Sequence, residues 1–230
     1  MKASLRLILT AISLMLVFNI FAAVETTAQN ILPEILKRME TNRNNLQSLR
    51  SGVMMVKYDS VLKVPDTTLG TAIYVPLKGR DALVRIDWKK PDETLTVANG
   101  TYTLYRPRLK QAIIGNAKKA KGKGTASNAL SFINMSKAEL KANFTIKYLG
   151  EETVNGDTQT WHLELTPKTA QSYKSAELWV DSNGMPIQAK VIENNNDTTT
   201  VLLSNLEKNV AVNTKVFILV LPDDVKKIKG

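Results

Sequence analysis

His162 is the single histidine of the chain and cysteine is absent, so the side chains that most often act as nucleophiles, general bases and metal ligands are nearly missing. His162 lies between Trp161 and Leu163 in a β-prone run, with Glu164 two residues on. A period of two puts the pair on one sheet face, where it could form an acid–base couple. No third residue that would orient the imidazole is identifiable, and a solvent-facing pair on the outer side of a strand is the expectation. Asp223-Asp224 and Glu151-Glu152 read as solvated loop acids, because a metal would need further His, Cys or clustered carboxylate ligands. Gly122–Thr125 reads GKGT, yet it does not make a phosphate loop. Ala117 stands where the first glycine belongs and Gly124 where the hydroxyl should be. The residues offer no catalytic set and no metal-ligand cluster, and they point to a binding protein rather than an enzyme.

The first 28 residues have the three parts of an export signal. Lys2 and Arg6 supply the positive start, Leu7–Ala23 the apolar stretch, and Thr26-Thr27-Ala28 the small residues before a cut at Gln29. An uncleaved anchor is the alternative, the apolar run being near the lower length limit for a membrane span. Residues 29–230 then form one domain, expected to be exported. Without cysteine it has no disulfides, and it offers no site for the lipid anchor of a lipoprotein. The formal charge of +10 would steer it toward anionic surfaces. Export and a single basic cluster, KKAKGKG at 118–124, argue against nucleic acid.

The elements that position side chains come in two kinds. Residues 29–49 carry Ile31, Ile35, Met39, Leu46 and Leu49 near helical spacing, with charged residues on the other side and Gly52 as a stop. Beyond Gly52 the period becomes two. The segment Asp87–Pro107, DWKKPDETLTVANGTYTLYRP, reads as strand, turn, strand, turn, strand, and Asn99-Gly100 is a strong hairpin signal. Further strands are expected at Val53–Tyr58, Leu69–Val75, Gln111–Ile114, Phe144–Leu149, Thr160–Leu165, Ser175–Val180, Pro186–Glu193, Thr198–Asn205 and Lys215–Val220, with hairpins at Asn155-Gly156 and Asn183-Gly184. The fold class is therefore mainly β with a few helices: about eleven strands in an incomplete antiparallel barrel. Ala117–Ala142 breaks the meander with two short helical pieces, Ser127–Met135 and one capped by Ser136. They either cover the open side of the sheet as a lid or simply complete the core.

Ala82, Val84, Ile86 and Trp88 share one face, with Leu83, Arg85 and Asp87 on the other; Trp161, Leu163 and Leu165 repeat the device, as do Val216, Ile218 and Val220. An apolar sheet face must be covered. Few helices are available, so it either lines a hollow suited to hydrocarbon chains or closes as a filled barrel.

The order of these motifs resembles the periplasmic outer-membrane lipoprotein carrier family (LolA). The resemblance rests on the N-terminal helix, on Trp88, Pro91, Gly100 and Tyr105-Arg106-Pro107 in the segment RIDWKKPDETLTVANGTYTLYRPRLKQA, and on the lid region Leu130–Leu140. It also rests on Leu165–Pro167 and on the ending NLEKNVAVNTKVFILVLPDDV with Asn209 or Asn213, Phe217, Pro222 and Val225. It implies an incomplete barrel with a helical lid over an apolar cavity, acting, with no cofactor and no reaction, as a monomeric chaperone for the acyl chains of lipoproteins. These would be taken from an inner-membrane lipoprotein-releasing transporter and passed to an outer-membrane acceptor. Lipid contacts are then expected from Val84, Ile86, Trp88, Leu95 and Val97 on the sheet and from Leu130, Phe132, Ile133 and Met135 in the lid. An arginine that latches the lid is implied as well. Arg80, eight residues before Trp88, takes that role on a longer spacing than the family's, while Arg85 points outward. Only LPDDVKKIKG follows the last expected strand, and the basic charge is a second departure. The rival readings are a carrier or sensor of free lipid or glycolipid on the same scaffold, and an exported hydrolase using His162 as base.

Overall fold

A computed structural model describes residues 31–77, 81–117, 131–132 and 135–230. Helix α1 spans residues 31–45. It buries Ile35 and Met39 of the apolar stripe that the spacing announced, and Leu36 beside them, and stops four residues short of its expected end. Leu49 instead opens β1 (Leu49–Asp59).

Eleven more strands follow: β2 (Val64–Val75), β3 (Leu83–Lys89), β4 (Asp92–Ala98), β5 (Thr101–Arg106), β6 (Gln111–Asn116), β7 (Phe144–Val154), β8 (Thr158–Pro167), β9 (Tyr173–Asp181), β10 (Pro186–Glu193), β11 (Thr198–Lys208) and β12 (Lys226–Lys229). They make one sheet in the order β12-β6-β5-β4-β3-β2-β1-β11-β10-β9-β8-β7. No ladder joins β7 to β12, so the barrel is open. Asn99 and Gly100 both take positive φ, as do Asn155 and Gly156, which is the turn chemistry that two-residue hairpins need. Between β6 and β7 lies α2 (Lys137–Asn143). Ser136 and Glu139 form a reciprocal capping box there, Ser136 Oγ accepting from the Glu139 N–H at 3.1 Å and Glu139 Oε2 from the Ser136 N–H at 2.8 Å.

Two expectations are overturned near the C terminus. Lys215–Val220 is not a strand: Thr214–Phe217 forms a 3-10 turn whose start is capped by the Asn213 side chain. The segment lies across the outer face of β3 and β4, where only Phe217 is buried, at 1% exposure, while Ile218 and Val220 stand in solvent at 65% and 93%. The alternation was real, but the segment is held against the outer face of β3 and β4 and pairs with neither edge of the sheet. The last strand is instead the polar Lys226–Lys229, which runs parallel to β6, with Lys226 opposite Gln111 and Lys229 opposite Ile114. Charged side chains hid it from a hydrophobic pattern.

Arg85 holds this segment down. Its guanidinium is paired with the Asp87 carboxylate at 2.7 Å and donates to the Val216 carbonyl at 2.8 Å. The bond to Asp87 pushes the already high Arg85 pKa up further. Arg85→Leu is expected to cost about 1 kcal/mol, a charged hydrogen bond discounted for partial exposure. Hydrogen exchange should then show faster exchange at residues 214–221 and unchanged protection in β3.

Candidate lipid-binding face

Register decides which side chains share the inner face. Val84 stands between Tyr74 and Val97, Ile86 between Ala72 and Leu95, and Trp88 between Gly70 and Glu93. The rows continue outward from Leu95 to Leu104 and Ile113, and from Val97 to Tyr102. In the other direction a row runs from Met55 through Val201, Ala189, Leu178 and Leu163 to Tyr148. One apolar surface thus crosses the sheet from β6 to β7. Gly70 makes room within it, because a Cβ there would lie 2.5 Å from the Asp87 carbonyl and 3.0 Å from the Trp88 ring.

The two halves of this surface are covered differently. Over β8–β11 and β1, Val53, Val201, Ala189, Leu178 and Leu163 are buried, in one cluster with Ile35, Leu36 and Met39 of α1. Arg38 of α1 lies over the Trp161 ring at 5.4 Å and donates to the Ser182 carbonyl. Over β3–β6 only Ile86 is fully buried; Val84, Trp88, Leu95, Val97, Tyr102, Leu104 and Ile113 are half-buried. At one end of this half Arg106 Nε sits 3.1 Å from Glu93 Oε1, an ion pair whose N–H does not point along the contact. Ser51, opposite Ala72, carries a buried hydroxyl with no hydrogen-bond partner.

The lid side chains complete the core. Phe132, 1% exposed, meets Phe144 and Tyr173 edge-on, with ring centroids 5.5 and 6.0 Å apart. Burial there pushes the Tyr173 phenol up. Leu140 is fully buried, and Glu40 of α1 accepts from the Lys137 N–H at 2.9 Å, tying lid to helix. The seam between them, lined by Met39, Leu46, Met135 and Met185, holds a crevice of about 20 Å³, room for a water but not for an acyl chain. Of the two alternatives the pattern left, the half under α1 is the filled one.

The structure therefore brings Val84, Ile86, Trp88, Leu95, Phe132 and Met135 into one cluster, with Val97 on the same face by register. Leu130, Ile133 and Arg80, and with them the expected latch and the export signal, lie outside the described residues. Sequence reasoning missed Tyr74, Leu104 and Leu36, which the same periodicities could have supplied.

His162 is on the outer face, as expected, but its partner is not Glu164. Nδ1 is 3.0 Å from Glu152 and Nε2 3.0 Å from Glu177, while the ring stacks on Trp179 at 4.2 Å. Glu152 is no loop acid: it sits in β7 and also accepts from the Trp179 indole at 2.8 Å. Both ring nitrogens face carboxylates. The side chain is 16% exposed. This is a cross-strand brace, invisible along any single strand. Among the described residues no group of three or more acids or histidines could hold a metal.

Residues 79–219, more than half of the chain, match the model of the family described as outer membrane lipoprotein carrier protein LolA. No curated protein matches in sequence. Among solved structures, an uncharacterised conserved protein from Thermus thermophilus is 13% identical with a TM-score of 0.55, covering 86% of this chain and 99% of its own. A LolA superfamily protein from Nitrosomonas europaea is 15% identical with a TM-score of 0.41, covering 81% and 97%. A putative outer membrane lipoprotein-sorting protein domain from Vibrio parahaemolyticus is 12% identical with a TM-score of 0.46, covering 80% and 94%.

Proposed function

The chain belongs to the outer membrane lipoprotein carrier family, and from that premise we propose that its inner face shields acyl chains of lipoproteins in transit through the periplasm. The observation that carries the reading is the apolar surface that crosses the sheet from β6 to β7, covered among the described residues by α1 and by side chains such as Phe132 and Met135 rather than by a second sheet. A surface so covered is exposed by a small movement, and each buried CH₂ of an entering chain gains about 0.8 kcal/mol. The half-buried stretch around Val84, Trp88, Leu95 and Val97 is where a chain meets the least competition. The Ser51 hydroxyl and the Arg106–Glu93 pair are the polar groups available to an ester or headgroup.

On this reading the protein is a carrier and not an enzyme. It is monomeric, receives its cargo from an inner-membrane transporter and delivers it to an acceptor at the outer membrane. The hydrolase reading would need His162 as base, and its two ring nitrogens are already engaged by Glu152 and Glu177.

The test is native mass spectrometry with lipid extraction of the protein purified from its own periplasm. Co-purified triacylated lipoprotein is the expected result. Free phospholipid or glycolipid in its place would move the assignment to the free-lipid reading. Failure to bind any acylated molecule, in the purified protein and on titration with a synthetic triacylated peptide, would overturn both.

A further inference from the structure

Strands β1 and β2 form the longest hairpin of the sheet, and its turn departs from the usual chemistry of turns. The connecting residues are Ser60, Val61, Leu62 and Lys63, with no Gly, Pro or Asn among them. Val61 is 84% exposed and Leu62 71%, with Val64 and Tyr58 also exposed beside them.

The turn is held firmly. Asp59 Oδ1 accepts from the N–H groups of Val61 and Leu62 at 2.9 and 2.8 Å, and the Lys63 N–H closes on the Asp59 carbonyl at 2.9 Å. From the neighbouring β10–β11 turn, Asp197 accepts from both the N–H and the hydroxyl of Ser60, at 2.8 and 2.9 Å, and the Asn195 carbonyl also accepts from that hydroxyl. The donors on Ser60 hold the Asp197 carboxyl below its ordinary range, so the pin persists at neutral pH. Two large apolar side chains are thus presented to solvent on a fixed support.

The hairpin also projects. β2 pairs with β3 only from Gly70 onward, so Val64–Leu69 extends past the β3–β4 turn by roughly 20 Å at the usual rise per residue. Pro65 and Asp66 on that open stretch discourage another strand from adding to it. Lys57 and Lys63 flank the apex, and Lys89 and Lys90 sit on the shorter turn behind it, all exposed. Of the acids at this end, Asp59 and Asp197 turn their carboxylates onto the donors named above, leaving Asp66 and Asp92 exposed toward solvent.

We propose that this hairpin tip docks the protein on an anionic phospholipid surface, Val61 and Leu62 entering the interface and Lys57 and Lys63 meeting the headgroups. The size of the patch favours lipid over a protein partner. A stable protein interface needs about 800 Å² per side with a packed centre, whereas this tip offers four exposed apolar side chains, Tyr58, Val61, Leu62 and Val64. In a bilayer interface each apolar side chain partitions singly and nearby lysines add to it. The formal charge of +10 brings the molecule to such a surface. Binding of this kind is weak and reversible. It is independent of what the inner face carries.

The experiment is vesicle co-sedimentation with phosphatidylcholine vesicles, with and without phosphatidylglycerol. Protein and variants are compared with the same N terminus, read by mass spectrometry, so that any contribution from the first residues cancels. The protein is expected to sediment with the anionic vesicles and not with the neutral ones. The double variant Val61→Asp, Leu62→Asp should weaken binding tenfold or more with an unchanged melting temperature, since both positions are in solvent. Lys57→Gln and Lys63→Gln should each weaken it about fivefold at low salt. Leu62→Trp provides a second readout: its added emission should shift to the blue on the anionic vesicles and be quenched by brominated lipid. Equal sedimentation of wild type and the double variant, no preference for anionic vesicles, or binding seen only with a reconstituted membrane protein would each overturn the proposal.

Discussion

Gly184→Ala is expected to lower the melting temperature by about 5–15 °C, corresponding to about 2–5 kcal/mol. Gly184 turns β9 into β10 with a φ of +82°, and its Cα lies under α1. A Cβ built there would be 2.2 Å from the Arg38 carbonyl carbon, 2.3 Å from its oxygen and 2.6 Å from the Met39 N. These are backbone atoms, so no side-chain rotation relieves the clash. The positive φ costs about 1–3 kcal/mol in a residue with a Cβ, and overpacking adds about as much. Relief requires lifting the helix from the sheet, which exposes Ile35, Leu36 and Met39. Gly156 provides the control: its φ is +88°, but nothing lies within 4 Å of its Cβ position. Gly156→Ala should therefore cost only the backbone share, about 1–3 kcal/mol. Equal melting temperatures for the two variants would mean that α1 does not rest on the β9–β10 turn.

The inner face was legible because it depends on period two alone. Val84, Ile86 and Trp88 point the same way in any strand that contains them; the turn at Lys90-Pro91 brings Leu95 and Val97 into line with them, and Asn99-Gly100 folds the next strand back alongside. The Ser136 cap was equally local. What could not be read are arrangements in which the partner is distant in sequence. The apolar run of Lys215–Val220 alternates like a strand, yet Arg85, 131 residues earlier, draws its backbone across the outer face. His162 appeared to belong with Glu164, two residues on; the pairing of β7, β8 and β9 gave it Glu152 and Glu177 instead. Whether the interior is hollow or filled was open for the same reason. It depends on where α1 and Phe132 come to rest, and neither position follows from the alternation of the strands they cover.

Phe132→Ala is expected to separate the two roles of the inner face, since it should destabilise the empty protein and strengthen its hold on acyl chains. The ring is 1% exposed and wedged against Phe144 and Tyr173, so truncation should cost about 3–5 kcal/mol through lost burial and the cavity left behind. If an acyl chain enters by displacing this side chain, the wild-type protein first loses the burial of the ring, about 1.5–3 kcal/mol. The alanine variant is spared that step, and its apparent affinity should rise about ten- to hundredfold. A titration with a fluorescent acyl probe, read beside thermal melts with and without probe, checks both halves. The melting temperature should fall in the empty variant and recover disproportionately when the probe is bound. Val97→Ala provides the contrast. It trims the half-buried part of the face without removing a plug, so it should weaken binding slightly and leave stability nearly unchanged. Weaker or unchanged acyl binding by the Phe132 variant would show that hydrocarbon does not enter where the ring sits, and would confine binding to the half-buried β3–β6 part of the face.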